Sequence, residues 1–143
     1  MKGNRIKLHG KRLTLLACGL CLVLLLAACQ TGALPEGMDK DAVCERGMAV
    51  VDVINTGDYD AMVHELREDL RPQLTADDLR KAWDEKLTSL GGFKEYQLIQ
   101  AVGTKTDGVP YAVVVLNCAY ENGTATFTLS FDTDYQLAGM YMK

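Results

Sequence analysis

The chain has 143 residues and carries 15 lysines and arginines against 19 aspartates and glutamates, a formal net charge of −4 at pH 7. Five of the basic residues and none of the acidic ones lie in the first twelve positions, so the remainder is strongly acidic. Such a surface, without any basic stripe, excludes nucleic acid and anionic headgroups as electrostatic partners. Beyond the N-terminal segment, about 115 residues make one domain of ordinary size.

The N-terminal segment combines its basic start with an apolar run, Leu13 to Ala28, that contains no charged side chain. This order is typical of a secretory signal, and the run is shorter than the roughly 20 apolar residues of a membrane-spanning helix. It closes with Leu26-Ala27-Ala28-Cys29, which resembles the lipobox of bacterial lipoproteins. We therefore predict a signal peptide over residues 1–28 and lipidation of Cys29. The alternatives are an uncleaved anchor helix and an ordinary secretory cleavage, and both also place the rest of the chain outside the cytoplasm.

After the signal, residues 29–37 are predicted to form a short lipidated tether, because they contain Gly32, Pro35 and Gly37. Residues 38–143 then form a single domain at the outer face of the cell membrane. The membrane, reached through the lipid anchor, is its first predicted partner.

Three helices are predicted to begin this domain, and each has a capping residue before an apolar stripe. The first spans 39–56, with Asp39 as its cap. The second follows Asp58 and continues through Leu70, because Pro72 stops it. Thr75 caps the third helix, which runs to a pair of glycines at 91 and 92.

The apolar pattern then changes to an alternation of period two, which predicts strands over residues 93–102, 109–120 and 135–142 and a hairpin around Asn122-Gly123. A type I′ turn at Asn122-Gly123 pairs Cys118 with Phe127, Leu116 with Leu129, and Val114 with Phe131. The reverse face of the hairpin carries Thr124, Thr126, Thr128 and Ser130 and suits solvent, a groove or a second copy of the chain. The predicted class is α+β, with the helices covering one face of a four-stranded antiparallel sheet.

Three stretches of the chain resemble a family of unknown function: Leu79-Arg80-Lys81-Ala82-Trp83, Leu90-Gly91-Gly92-Phe93-Lys94, and Phe131-Asp132 through Leu137-Ala138-Gly139-Met140. Members of that family are small extracytoplasmic domains of Gram-positive bacteria, on lipoproteins or ahead of an α/β-hydrolase domain. The resemblance implies a cone-shaped fold related to nuclear transport factor 2-like and cystatin-like domains, in which a curved sheet wraps the helices around a pocket. It implies no catalytic residue and no cofactor.

Cys44 and Cys118 are the cysteines that follow Cys29. In an oxidising compartment they are a plausible disulfide, and closing so long a loop stabilises a domain by several kcal/mol in the chain-entropy model. The alternative is two separate buried thiols that behave as small apolar residues. A zinc site is not expected, because the paired short-spaced ligands are absent.

Catalytic chemistry is not predicted. His64 is the one histidine after Cys29, and it adjoins the apolar stripe of the second helix, so it is interpreted as a packing residue. No nucleophile elbow or second histidine accompanies it. The run Asp132-Thr133-Asp134 is interpreted as a turn, with calcium ligation the weaker alternative.

A binding or accessory role is the predicted function. Trp83, Tyr96, Tyr111 and Tyr120, together with His64, are candidates to line a pocket at the wide end of the cone, where a small molecule would bind. The alternative is that they are core and rim residues of the fold. Two other functions stay open: a small isomerase or hydrolase that uses the pocket, and a dimeric scaffold built through the threonine-rich sheet face. A membrane-surface protein is the other predicted type of partner.

Overall fold

The computed structural model describes residues 32–143, in which helices come first and strands follow. The helices are α1 (Lys40–Asn55), α2 (Tyr59–Glu65), a 3-10 helix (Glu68–Gln73) and α3 (Ala76–Leu90). The strands are β1 (Phe93–Thr106), β2 (Val109–Tyr120), β3 (Gly123–Phe131) and β4 (Leu137–Met142), and they form one antiparallel sheet in the order β1-β2-β3-β4. The α+β class with helices ahead of a four-stranded antiparallel sheet is therefore confirmed. The predicted signal peptide, the predicted lipidation site Cys29 and the first residues of the predicted tether lie outside the described residues.

The α-helices begin at the capping residues that the sequence indicates. The Asp39 and Asp58 carboxylates each accept a hydrogen bond, 2.9 Å long, from a backbone N–H in the first turn of α1 and α2. At α3, Thr75 and Asp78 form a reciprocal capping box. Because these bonds satisfy donors that have no partner within the helix, they fix each helix start locally.

The second helix is shorter than the sequence predicts. It ends at residue 65, and Leu66 adopts extended backbone and forms a parallel bridge with Leu137 of β4. The Arg67 N–H donates to the Leu137 carbonyl oxygen at 2.8 Å. This long-range bond takes the place of a hydrogen bond within the helix. The predicted continuation of the second helix through Leu70 is therefore wrong. Pro72 lies inside the 3-10 helix that follows.

The β2–β3 hairpin has a different register from the predicted one. Its loop is Glu121-Asn122, so Gly123 already pairs with Tyr120, and Cys118 lies opposite Ala125. Each predicted partner on β3 is displaced by two residues, which leaves the two faces of the hairpin unchanged because side chains alternate with period two. The buried face therefore contains the residues that the sequence indicates, in shifted pairs.

Contacts with the α3–β1 connection explain this register. The Glu121 N–H donates to the Gly92 carbonyl oxygen and the Asn122 N–H donates to the Leu90 carbonyl oxygen, both at 2.9 Å. Neither loop residue has a positive φ. The turn with two successive positive φ values is Asp107-Gly108, at 51° and 80°, which joins β1 to β2 and allows β1 to extend beyond its predicted end.

The core lies between the helices and the inner face of the sheet. Trp83 of α3 packs edge-on against Phe127 of β3, with ring centroids 6.4 Å apart. Fully burying an aliphatic or aromatic side chain contributes roughly 1.5–3 kcal/mol. The most deeply buried side chains from both layers include Val43, Val50, Val51, Ile54, Met62, Val114, Leu116, Phe127, Leu129, Phe131 and Leu137.

The chain ahead of α1 is docked on the sheet. Gly32 and Gly103 of β1 exchange two backbone hydrogen bonds of 3.0 and 2.9 Å, and Leu34 and Met38 pack against the core. A Cβ atom on Gly103 would overlap the Ala33 carbonyl oxygen, so only glycine permits this close approach. Residues 32–37 of the predicted tether are thus part of the folded domain. Within residues 32–143, no helix has the length and apolar character needed to cross a membrane.

Candidate functional site

A cavity of about 240 Å³ lies where the ends of α1 and α3 meet the start of β1 and the end of β2. It is a concave surface of mixed polarity, the kind of surface that small-ligand sites use. Its lining includes the side chains of Asn55, Tyr59, Asp84, Leu87, Phe93 and Tyr120. We refer to it as the first cavity.

One wall of the first cavity contains a buried hydrogen bond. The Tyr120 hydroxyl donates to Asn55 Oδ1 at 2.7 Å, and Tyr120 is only 5% exposed. Burial is the main cause that raises the pKa of Tyr120 well above its usual range. Asn55 Nδ2 is also buried and has no hydrogen-bond partner among the described residues. A buried donor without an acceptor costs roughly 1–3 kcal/mol, so the Asn55 side chain is held at a free-energy cost beside the cavity.

Another part of the lining contains a tyrosine paired with a carboxylate. The Tyr59 hydroxyl donates to Asp84 Oδ1 at 2.9 Å and so joins α2 to α3. Burial, followed by the bond to Asp84, raises the pKa of Tyr59. On the ring of Tyr59, the Arg80 guanidinium carbon lies 5.2 Å from the centroid, and Arg80 also pairs with Asp77 at 2.7 Å.

The charge of the first cavity is negative. Asp84 is the one charged side chain in its lining, and Lys, Arg and His are absent from that lining. Glu121 adds a second carboxylate beside it, because Glu121 Oε2 accepts the Gly92 N–H at 3.0 Å and Gly92 lines the cavity. Phe93 and Tyr120 contribute two aromatic rings packed edge to face at 5.7 Å. The site therefore combines negative potential with aromatic walls.

A second cavity of about 240 Å³ lies on the sheet face that points away from the helices. Its lining consists of Thr104, Thr106, Tyr111, Ser130, Ala138 and Gly139. The two cavities lie toward opposite ends of the sheet, since Thr104 and Phe93 are at opposite ends of β1. We call this one the second cavity.

A family model described as protein of unknown function (DUF3887) matches residues 48–140. The chain belongs to the DUF3887 family. It is also similar to a solved structure, described as the NMR structure of a protein from Ruminococcus gnavus ATCC 29149, at 28% identity and a TM-score of 0.70. That similarity covers 78% of this chain and 97% of the other. The comparison with curated proteins gave no match.

The DUF3887 match includes every residue that lines either cavity and ends within β4. It supports the resemblance to a family of unknown function on which the sequence interpretation relied. Neither the description of the family nor that of the solved structure mentions a ligand or an activity.

The five residues predicted to line one pocket are separated in this DUF3887 domain. Tyr120 lines the first cavity and Tyr111 the second, whereas His64, Trp83 and Tyr96 line neither. The structure therefore does not bring these five residues together around either of the two cavities.

Packing explains the positions of Trp83, His64 and Tyr96. Trp83 is 8% exposed, because the stripe of α3 turns it into the core. His64 is on the exposed side of α2. The Tyr96 hydroxyl donates to Asp52 Oδ1 at 2.8 Å on the flank of α1, and burial and Asp52 raise the pKa of Tyr96.

Cys44 and Cys118 both have free thiols in the structure, so the predicted disulfide is not formed. Cys118 is completely buried, and burial, with the Asp52 carboxylate, raises its pKa to about 11. Asp52 lies eight residues after Cys44 on α1, or about 12 Å of helical rise. A disulfide requires α-carbons about 4.4–6.8 Å apart, and Cys118 faces the wrong turn of the helix for that approach.

The Asp132-Thr133-Asp134 run is a turn whose leading carboxylate is already engaged. Asp132 Oδ1 accepts the N–H groups of Asp134 and Gln136 at 3.0 and 2.9 Å, and Oδ2 accepts from Arg67 at 3.3 Å. Among residues 32–143, no group of three or more His, Cys, Asp or Glu side chains is placed to hold a metal ion.

Apart from Tyr120, the sequence did not indicate the residues that define the first cavity. Asn55, Asp84 and Phe93 are far apart in the chain and come together only through the packing of α1, α3 and β1. The signal in the sequence was weak: Asn55 is a polar residue directly after Ile54, at the end of an otherwise apolar stripe.

Proposed function

We propose that this DUF3887 chain is a membrane-anchored extracytoplasmic lipoprotein whose domain binds a small molecule without chemistry of its own. The observation that carries the proposal is the first cavity, beside which the buried amide nitrogen of Asn55 lacks an acceptor. Buried polar groups are normally satisfied, and an exception beside a cavity is an argument for a ligand. The ligand would lie between the wall of Asn55 and the wall of Asp84.

The anchor rests on the sequence. Basic residues precede an apolar run that ends at Ala28-Cys29, the order of a lipoprotein signal. Lipoproteins of this type carry more than one acyl chain, and two or more chains make anchoring stable. The domain would then act at the outer face of the cell membrane, as the Gram-positive context of the sequence resemblance implies.

A binding role is preferred to catalysis because of the residues around the first cavity. Burial holds the pKa of Tyr59 and of Tyr120 above their usual range, so both hydroxyls stay protonated near neutral pH and are poor proton acceptors. Asp84 is exposed to solvent, and His64 is not part of the lining. The alternative, a small isomerase or hydrolase, would require a histidine or a buried carboxylate in this cavity.

The sheet supports two further parts of the proposal. Two irregularities in the β1–β2 pairing, at Phe93/Glu95 and at Tyr96/Leu98, are of the kind that bends a strand, which supports a curved sheet of the nuclear transport factor 2-like type. The outer face also exposes Val109 and Tyr141, which favours the second candidate function, a dimer or an accessory contact with a membrane-surface protein. Mass measurements over a range of protein concentrations would detect such a dimer.

The test is mass spectrometry of the protein purified gently from its native membrane. We expect a diacylglyceryl-type adduct on Cys29 and a co-purifying small molecule. Thr88→Trp, which places a large ring at the first cavity, should abolish the co-purifying molecule, whereas Lys86→Trp on the exposed side of α3 should retain it. Unmodified Cys29 would reject the anchor, and wild-type protein with nothing bound would favour a protein partner instead.

A further inference from the structure

We infer that the first cavity takes a small organic cation, an amine or quaternary ammonium group held between the carboxylate of Asp84 and the aromatic rings. This inference rests on the proposed binding function and narrows it to one chemical class. Neither the sequence pattern nor the family description assigns any ligand chemistry to these residues.

Charge is the first argument. The lining of the cavity contains one carboxylate, Asp84, and no basic side chain, and the Glu121 carboxylate lies at the adjoining Gly92. Neither carboxylate has an ion-pair partner among the described residues. The two carboxylates would repel an anionic ligand, whereas a cation would supply the missing counter-charge.

The aromatic rings are the second argument. Tyr59, Phe93 and Tyr120 line the cavity, and aromatic faces attract cations, most strongly where water is excluded. The Tyr59 ring already shows this preference, because the Arg80 guanidinium is stacked on it at 5.2 Å. The charge of Arg80 is compensated by Asp77, so it does not cancel the negative potential of the site.

Size and hydrogen bonding restrict the ligand further. A volume of about 240 Å³ is smaller than the pockets of roughly 300–1,000 Å³ that hold drug-sized molecules. Polar residues in the lining, among them Asn55 and Thr88, favour a cation that also carries a hydroxyl or carbonyl oxygen. Choline has both features and is a suitable probe.

The experiment compares choline with 3,3-dimethylbutan-1-ol, its neutral counterpart of the same shape, in NMR titrations of the detergent-solubilised full chain. We expect choline to shift the backbone signals of Phe93 and Tyr120 and to bind about tenfold more tightly than the neutral molecule. Asp84→Asn, which keeps an oxygen for the Tyr59 hydroxyl, should weaken choline binding about tenfold. Glu85→Gln removes the same charge from the next position of α3, outside the lining, and should leave the affinity unchanged.

Equal affinities for the two probes, or equal losses in the Asp84 and Glu85 variants, would overturn the cationic assignment. So would the absence of any shift at Phe93 and Tyr120 at saturating choline. A neutral or anionic molecule that co-purifies with the wild type but not with Thr88→Trp would reject the cation while leaving the proposed binding function in place. Urea unfolding of Asp84→Asn should match that of Glu85→Gln, which separates lost affinity from lost folding.

Discussion

Tyr120, the last residue of β2, donates a 2.7 Å hydrogen bond to Asn55, the last residue of α1, and thereby joins a central strand to a helix at the wall of the first cavity. Tyr120→Phe removes the donor, so Asn55 Oδ1 loses this partner while Nδ2 stays buried and unpaired. We expect the free energy of unfolding to fall by about 1–3 kcal/mol, measured by urea denaturation.

A double-mutant cycle is the control for this pair. Asn55→Leu replaces the amide with an apolar group of similar shape and also removes the unpaired Nδ2. Once both polar partners are gone, neither is left buried and unsatisfied, so Tyr120→Phe should cost much less in the Asn55→Leu background. Additive losses in the cycle would show that the hydrogen bond contributes nothing.

Gly103→Ala tests the docking of the segment ahead of α1. Its Cβ would overlap the Ala33 carbonyl oxygen, so residues 32–34 must detach and both hydrogen bonds to Gly32 must break. In the variant we expect fast hydrogen exchange at the backbone amide of position 103 and rapid proteolysis between residues 32 and 38. Gly139→Ala is the matched control, because the nearest atom to its added Cβ is 3.9 Å away. Equal protection in the two variants would contradict the docked position.

The two cysteines should differ sharply in reactivity. Cys44 is half-buried and Cys118 is completely buried, and burial raises the pKa of both thiols. In the folded protein, iodoacetamide should modify Cys44 slowly and Cys118 only after unfolding. Peptide mapping without reductant measures the modification rate of each cysteine. The control is a urea-unfolded sample, in which the two rates should be similar. A linked Cys44–Cys118 peptide would restore the disulfide that the structure lacks.

Alkaline pH should destabilise the domain through Cys118. Its pKa is raised from about 9 to about 11 in the folded state, so between these values the folded chain holds a proton that the unfolded chain has lost. The stabilisation is complete below pH 9 and disappears as the pH rises through the folded-state value. Tyr96 and Tyr120, whose pKa values are also raised, extend the loss to higher pH.

Urea midpoints from pH 7 to 11 check this prediction. Cys118→Ala should be less stable than the wild type at pH 7, because it leaves a small cavity, but its stability should fall less steeply above pH 9. Parallel curves for the two proteins would exclude Cys118 as a source of the pH dependence.

The sequence predicts those features of the fold that depend on neighbours in the chain. The caps at Asp39, Asp58 and Thr75 lie within three residues of the donors that they satisfy, so local chemistry identified the starts of the helices. The alternation along 123–131 likewise identified its buried face. In both cases the decisive partner is a few residues away.

Features with distant partners escaped prediction. The second helix ends early because Arg67 bonds to Leu137, seventy positions later, and the β2–β3 loop is set by the bonds of Glu121 and Asn122 to the α3–β1 connection. The first cavity also could not be predicted. It lies between elements whose distance and orientation depend on tertiary packing, and no local sequence pattern encodes these. Tyr120 was named as a pocket residue, but its partner Asn55 was not.

The bridges at Gly32 and Leu66 affect how the sheet behaves in a crowded environment. Gly32 pairs with Gly103 of β1, and Leu66 pairs with Leu137 of β4, so each bridge occupies backbone groups of an outer strand. Without these bridges, the same backbone groups would offer a template to a strand of another chain. Exposed strand edges are the usual starting points of aggregation, and the irregular pairing in the first half of β1 interrupts that edge further. The segments around Gly32 and Leu66 therefore also prevent a strand of another chain from pairing with the sheet edges when the local protein concentration is high.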